Sequence, residues 1–161
     1  MLMEIGPKTI QKKIKIKTSL NIHINENWIT YCKFENNLLV DLNKIAFLDK
    51  KKPARILKSI KKYLKSTDFG KSSLNVNLIY YNKYSSLTPT LLYDDKYSSS
   101  FLKFNSSVNS NDLVANDQIL NKEITNLFIP YIDINNYIFK RFKTFDFFHY
   151  SSLLIEFFNN E

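Results

Sequence analysis

KIKIKTSLNIHI, residues 13–24, decides how the fold begins, because its apolar and polar side chains alternate with a period of two. Such alternation predicts a β-strand with one face buried and the other facing solvent. Two further strands are predicted, WITYCKF and LLVDLNKIAF, separated by the turn sequences NEN and ENN. Links this short make neighbouring strands antiparallel, so residues 13–47 predict a three-stranded β-meander.

The lysine-rich segment KKPARILKSIKKYLKSTDFG, residues 51–70, predicts the first helix. Pro53 fits the first helical turn, where its missing N–H costs nothing, and Gly70 marks the exit. Apolar residues recur at helical spacing and predict a stripe that faces a sheet. The stripe consists of Ile56, Leu57, Ile60, Tyr63 and Leu64.

Strands and helices alternate in the remainder of the chain. SLNVNLIYY, residues 73–81, is apolar on both faces and predicts a central strand. Thr88 is predicted to cap a short helix that begins at Pro89, and Asp94 or Asp95 to cap a second helix. The second helix is expected to carry three rings into the core, those of Tyr97, Phe101 and Phe104.

The C-terminal third predicts strands at residues 111–119, 124–132 and 144–150. Asp133 is predicted to cap a helix that turns Ile134, Tyr137 and Ile138 inward. Ser151 or Ser152 is predicted to cap a final helix, LLIEFF, with His149 packed beside its start.

This order of elements predicts an α/β protein with one domain. Residues 1–12 are expected to be a flexible N-terminus, and residues 13–161 a single half-domain. A three-stranded meander followed by alternating helices and strands is the topology of the ribonuclease-H-like half-domain from which the actin-like ATPase fold is built. By itself that topology says little about function.

Residues 78–158 resemble the bacterial family of uncharacterised proteins called domain-of-unknown-function 3822, or DUF3822. The resemblance rests on several ordered elements: SLTP (86–89), LYD (92–94), FLKFN (101–105), ND (111–112) with Asp117, and the segment from Phe145 to Ser152. It implies an actin-like fold and no established activity. Members usually continue into a second, similar half, so this chain is expected to be a truncated or split form that holds the N-terminal half. Its expected partner is that missing half or another protein.

Positive charge is concentrated in the first half of the chain. Residues 1–71 carry 16 basic and 6 acidic side chains, whereas residues 72–161 carry 7 and 9. Part of the lysine excess follows from the AT-rich genome that the abundance of Asn, Ile, Lys, Phe and Tyr indicates. Clustered lysines can nonetheless attract phosphate. The candidate nucleic-acid-binding residues are Lys51, Lys52, Lys58, Lys61, Lys62 and Lys65.

Sequence features argue against several other chemistries. The turn after the first predicted strand, which would approach phosphate in an actin-like ATPase, reads NEN, without glycine, although Glu26 there could reach a metal through water. Cys32 has no paired thiol, His23 and His149 lie far apart, and no metal site is expected. Asp146 and His149, three apart on a strand, point to opposite faces and cannot form a triad with a serine.

The leading interpretation is therefore a non-catalytic protein that acts through protein contacts and needs no cofactor. A nucleic-acid-associated protein is the alternative, and a degenerate actin-like ATPase is the second alternative. The N-terminus lacks a continuous apolar stretch, and no run reaches the ~20 apolar residues of a membrane span, so a cytoplasmic location without membrane contact is expected.

Overall fold

The computed structural model describes residues 17–67, 74–104, 106–109, 112–142 and 144–159. The strands are β1 (Thr18–Ile24), β2 (Trp28–Glu35), β3 (Leu38–Ala46), β4 (Asn75–Tyr80), β5 (Ser85–Pro89), β6 (Ala115–Ile119), β7 (Ile124–Phe128) and β8 (Thr144–His149). The helices are α1 (Pro53–Ser66), α2 (Ser98–Lys103), α3 (Ile132–Arg141) and α4 (Tyr150–Asn159). Two 3₁₀ turns occupy Thr90–Leu92 and Asp95–Tyr97.

The larger sheet has five strands in the order β3-β2-β1-β4-β8. β1, β2 and β3 pair antiparallel, which confirms the meander, while β4 and β8 run parallel to β1. Asn36 and Asn37 close the β2–β3 hairpin with φ of 52° and 67°, a left-handed geometry that asparagine tolerates. The predictions of a strand at residues 13–16, of a flexible N-terminus at residues 1–12 and of a helix exit at Gly70 concern positions outside the described residues.

One face of this sheet forms the main core together with α1 and α3. The predicted stripe of α1 points at it, and Ile56, Ile60 and Leu64 are fully buried. Ile134 and Ile138 of α3 are buried beside them, while Tyr137 packs at the edge, as predicted. β4 is central, as its apolar faces predicted, since it lies between β1 and β8.

A second sheet of three strands, in the order β5-β7-β6, was not expected from the sequence. The prediction that Thr88 caps a helix is wrong, because Thr88 belongs to β5 and lies opposite Thr125 of β7. The sequence Thr-Pro is equally compatible with the end of an edge strand. Proline has no backbone N–H group, and an edge strand has positions at which that group is not needed for pairing. The pairing of β5 with β7, which is distant in sequence, makes these residues a strand and not the start of a helix.

Two other predictions of helix caps are wrong, and one is confirmed. Asp133 lies inside the first turn of α3 and does not cap it. Ser151 and Ser152 lie within α4, which already begins at Tyr150. Asp94 does cap its 3₁₀ turn, by accepting a hydrogen bond from the Lys96 amide.

The short helix α2 turns a different residue inward from those predicted. Tyr97 and Phe104 are exposed, Phe101 is half-buried, and Leu102 is buried against Leu127 instead. Because the helix has only six residues and follows a 3₁₀ turn, its inward face does not keep the spacing assumed for one continuous helix. Among the residues described, no helix is long and apolar enough to cross a membrane.

Candidate functional site

The six lysines predicted to bind nucleic acid fall into two places. Lys58, Lys61, Lys62 and Lys65 lie on the exposed face of α1, and the helix contains no acidic residue that could neutralise them. Lys61 also lies over the ring of Tyr137, with its ammonium 5.1 Å from the ring centre. The other two lysines, Lys51 and Lys52, precede α1 at one end of the sheet.

That end of the sheet holds a cleft of about 480 Å³ at the carboxyl ends of β1 and β4. Such an edge is where open α/β sheets commonly bind ligands. The uncapped N-termini of α1 and α3 both reach the cleft. Its walls are formed by Glu26, Lys50, Lys51, Lys52, Pro53, Tyr84, Ser107, Asn109, Asp112, Ile129, Pro130, Tyr131, Ile132 and Asp133.

The turn between β1 and β2, at the edge of this cleft, is held by its own side chains. Asn25 Oδ1 accepts from the Asn27 amide, and Asn25 Nδ2 donates to the Tyr81 carbonyl at 2.8 Å. The Glu26 carboxylate lies 3.4 Å from Lys50 Nζ, and the Glu26 carbonyl accepts from the Lys51 amide. This turn is therefore fastened to β4 and to the segment before α1, which leaves its shape little freedom to wrap a phosphate.

A buried polar network joins the two sheets where β8 meets α4. Asp117 of β6 accepts from the Ser152 hydroxyl at 2.6 Å and from the His149 amide at 3.0 Å. The side-chain amide of Asn126, on β7, donates to the hydroxyls of Ser151 and Ser152. Side chains from β6, β7, β8 and α4 thus meet in one hydrogen-bonded junction, named the polar junction below.

The hydrogen-bond partners of His149 determine which of its two ring nitrogens carries the hydrogen. Its Nε2 lies 3.0 Å from the Asn82 carbonyl, which can only accept, so Nε2 carries the hydrogen. Nδ1 then accepts from the Ser151 hydroxyl at 2.7 Å. Burial lowers the pKa of His149. Its hydrogen bond to the Asn82 carbonyl raises the pKa and so offsets part of the effect of burial. Burial raises the pKa of Asp117, although its bonds from Ser152 and His149 act in the opposite direction.

The Ser151–His149 contact has the distance of a nucleophile–base pair, but its surroundings suit a structural role. His149 is 1% exposed, and the Ser151 oxygen already accepts from Asn126. Asp146, the acid that lies closest in sequence, is exposed on the other face of β8, as predicted. Within the described ranges, no group of three or more His, Cys, Asp or Glu side chains could hold a metal ion.

The helix α4 turns its apolar side toward solvent. Leu153, Leu154, Phe157 and Phe158 are 41–69% exposed and lie on one continuous face of the helix. The buried residue of α4 is Ser152, which belongs to the polar junction. A contiguous exposed apolar surface of this kind typically marks an interaction site. The four residues are named the α4 apolar face below.

A second exposed apolar stretch lies on β3, at the opposite edge of the larger sheet. Leu38, Leu39, Val40 and Leu42 are each at least half exposed. A register shift between Lys33 and Phe34 of β2 bulges the hairpin at this point. Bulges disrupt the regular hydrogen-bond ladder and discourage pairing along an edge strand, so β3 is a less suitable contact surface than α4.

Sequence reasoning found His149 and both serines of the polar junction but missed their partners. Asn126 sits within the strand sequence ITNLF, and Asp117 within the segment that carries the family resemblance. A polar residue at a buried strand position indicates a required hydrogen bond. Which residues supply that bond depends on β6 and β7 forming a separate sheet.

Comparison with known proteins gives a family and a fold. The model of a family described as "Protein of unknown function (DUF3822)" matches residues 7–161. A crystal structure from Bacteroides thetaiotaomicron VPI-5482, a "protein with actin-like ATPase fold and unknown function", is similar, with a TM-score of 0.67 and 15% identity. The match covers 88% of this chain and 55% of that one, so this chain spans about half of that protein's length. The fold is accordingly of the actin-like ATPase type. No curated protein matches the chain.

Proposed function

We propose that this chain, which belongs to the DUF3822 family, acts through protein contacts and not as a catalyst. Its contact surface is the α4 apolar face, and the partner is a second actin-like half-domain. The observation that supports the proposal most directly is the direction of α4, whose two phenylalanines and two leucines face solvent while a serine is buried.

Burial of the α4 apolar face by a partner would be energetically favourable. Each large apolar side chain that leaves water contributes roughly 1.5–3 kcal/mol when its burial is complete. The four side chains lie on two adjacent turns of a helix, so one docking surface can cover all of them. An amphipathic helix presented in this way is a common element of protein–protein recognition.

The identity of the partner is supported by the comparison with the Bacteroides protein. That chain has an actin-like ATPase fold, and the match with the present chain covers 55% of it. The present chain matches about half of that fold. A second actin-like half-domain is therefore the partner whose shape would complete the fold. In a solution that contains this protein alone, a second copy of the same chain can act as that half-domain and cover the α4 apolar face.

Sedimentation velocity tests this proposal. We expect the chain to self-associate as its concentration rises, and the double variant Leu154→Glu/Phe157→Glu to remain monomeric. Leu91→Glu is the matched control, since Leu91 is 99% exposed on a 3₁₀ turn outside α4. The proposal is wrong if wild type stays monomeric, or if the double variant associates as the wild type does.

A role in nucleic-acid binding is the second candidate, supported by the unneutralised lysines of α1. In the described part of the chain, the lysines found in ion pairs are Lys33 and Lys50, neither of which lies on α1. If the α1 lysines contact phosphates, retention on a heparin column should fall with salt, and Lys58→Glu/Lys61→Glu/Lys62→Glu should abolish it. Unchanged retention of that triple variant would exclude this role.

Degenerate ATPase activity is the third candidate and the least supported. The side chain of Asn25 fastens the turn that would approach phosphate, and the turn contains no glycine. Mg-ATP is therefore expected to leave the thermal midpoint of unfolding unchanged. A clear upward shift in the midpoint would show that the folded chain binds nucleotide.

A further inference from the structure

A cleft of about 480 Å³ separates the strands β6 and β8. Four consecutive residues of each strand border it, residues 116–119 and residues 145–148. Successive side chains of a strand point to opposite faces of a sheet. Four consecutive residues therefore border one cleft only where the cleft runs along the backbone edge of the strand.

Both bordering edges are free of strand partners. β6 is one of the two outer strands of the three-stranded sheet, and β8 is one of the two outer strands of the five-stranded sheet. No third strand pairs with the free edge of either one in the ranges that the structure describes. Strand edges of this kind present unpaired N–H and C=O groups to any extended segment that approaches them.

The polar junction closes one end of the cleft and fixes its shape. The His149 amide donates to Asp117, which ties the end of β8 to the middle of β6. Glu156 of α4 accepts from the Leu120 amide, in a turn whose residues Leu120, Asn121 and Lys122 all have positive φ. The side chains of Asp117 and Glu156 thus connect β6 to β8 and to α4 beside the cleft.

The walls of the cleft are acidic and aromatic. Asp117, Asp146 and Glu156 border it, and none of its bordering residues is a lysine or an arginine. The contrast with the whole chain is clear, since the chain carries a formal charge of +8. Phe145, Phe147 and Phe148 provide the apolar part of the walls. The complementary ligand is therefore positively charged and partly apolar.

We propose that this cleft binds an extended basic segment of a partner protein, which adds as a strand between β6 and β8. Main-chain hydrogen bonds to the two edges would provide affinity. Lysine or arginine side chains would approach the carboxylates, and the apolar residues between them would contact the phenylalanines. This interaction goes beyond the proposed contact of α4, because Leu153 is the one residue of the α4 apolar face that also borders the cleft, whereas Leu154, Phe157 and Phe158 do not.

The test uses a blocked eight-residue peptide of alternating lysine and valine, titrated into the ¹⁵N-labelled full chain. We expect saturable chemical-shift changes in the amides of residues 116–119 and 145–148. A peptide N-methylated at alternate residues keeps its charge but loses backbone donors, and should bind at least about tenfold more weakly. Asp146→Lys should weaken binding of the original peptide by a similar factor.

Two further variants make the result specific. Asp49→Lys is the matched control, since Asp49 is an exposed acid outside the cleft, and should leave binding within about twofold of wild type. Leu154→Glu/Phe157→Glu should also retain peptide binding, which separates failure of this inference from failure of the α4 proposal. The inference is overturned if no saturable binding occurs below about 1 mM. Equal binding of the N-methylated peptide, or shifts confined to residues outside the cleft, would also overturn it.

Discussion

The helices α1 and α4 are attached to the same protein in opposite ways. α1 buries Ile56, Ile60 and Leu64 completely against the five-stranded sheet and exposes its lysines. α4 exposes its apolar residues and is held through Ser152, whose hydroxyl bonds to Asp117 and Asn126. The difference indicates that α1 completes a core within the chain, whereas α4 is positioned by polar bonds and leaves its apolar side, the proposed contact surface, exposed.

The largest expected effect comes from removing apolar volume on each helix. Ile60→Ala should lower the free energy of unfolding by about 3–4 kcal/mol, because it leaves a cavity in a fully buried site. Phe157→Ala should change it by less than about 0.5 kcal/mol in the monomer. Urea unfolding at low protein concentration measures both. A loss at Phe157 as large as that at Ile60 would show that α4 packs within the chain.

A smaller loss is expected from Ser152→Ala, which removes the hydroxyl that anchors α4. The free energy of unfolding should fall by about 2 kcal/mol, since the half-buried Asp117 carboxylate loses a donor and the buried Asn126 side chain loses an acceptor. Ser59→Ala on α1 is the matched control, with an expected change below about 0.5 kcal/mol. If the two serine variants unfold alike, the polar junction does not anchor α4.

The smallest expected effect is the dependence of the α4 attachment on pH. Burial lowers the pKa of His149, so the unfolded chain binds more protons below about pH 6.5, and stability should fall as the pH falls through that range. One proton contributes at most about 1.4 kcal/mol per pH unit. Asp117 has the opposite effect, because burial raises its pKa in the folded chain. Its contribution to stability is present at low pH and is lost as the pH rises through that raised pKa.

Unfolding measured between pH 7.5 and 5.5 tests this dependence. His149→Gln should reduce the slope of stability against pH, leaving the part that comes from His23, whose pKa burial also lowers. Ile60→Ala should lower stability without changing the slope, because the apolar attachment of α1 contains no group that titrates between pH 5.5 and 7.5. An unchanged slope in His149→Gln would contradict the assigned protonation of the polar junction.

The sequence predicted the parts of the fold that depend on local pattern. Alternation identified the meander, and helical spacing identified the apolar stripe of α1, because one buried face imposes each period. The second sheet was not predictable in this way, since Thr88 and Pro89 support a helix start and a strand end equally well. These residues form a strand because β5 pairs with β7, which lies more than thirty residues further along the chain.

The candidate surfaces were only partly predictable for the same reason. The lysines of α1 follow from helical spacing, and their exposure agrees with it. The outward direction of α4 could not be read from LLIEFF, because an apolar run does not reveal which side is buried. Asp117 and Asn126 hold Ser152 inward, and that arrangement requires the two sheets to meet at β8.

The most direct test of the account is hydrogen–deuterium exchange of residues 150–159, measured in dilute solution and at a hundredfold higher protein concentration. The account predicts that exchange in α4 slows at the higher concentration while exchange in α1 does not change. It also predicts that Leu154→Glu/Phe157→Glu removes the concentration dependence. Exchange in α4 that is the same at both concentrations would contradict the claim that its apolar face is a contact surface.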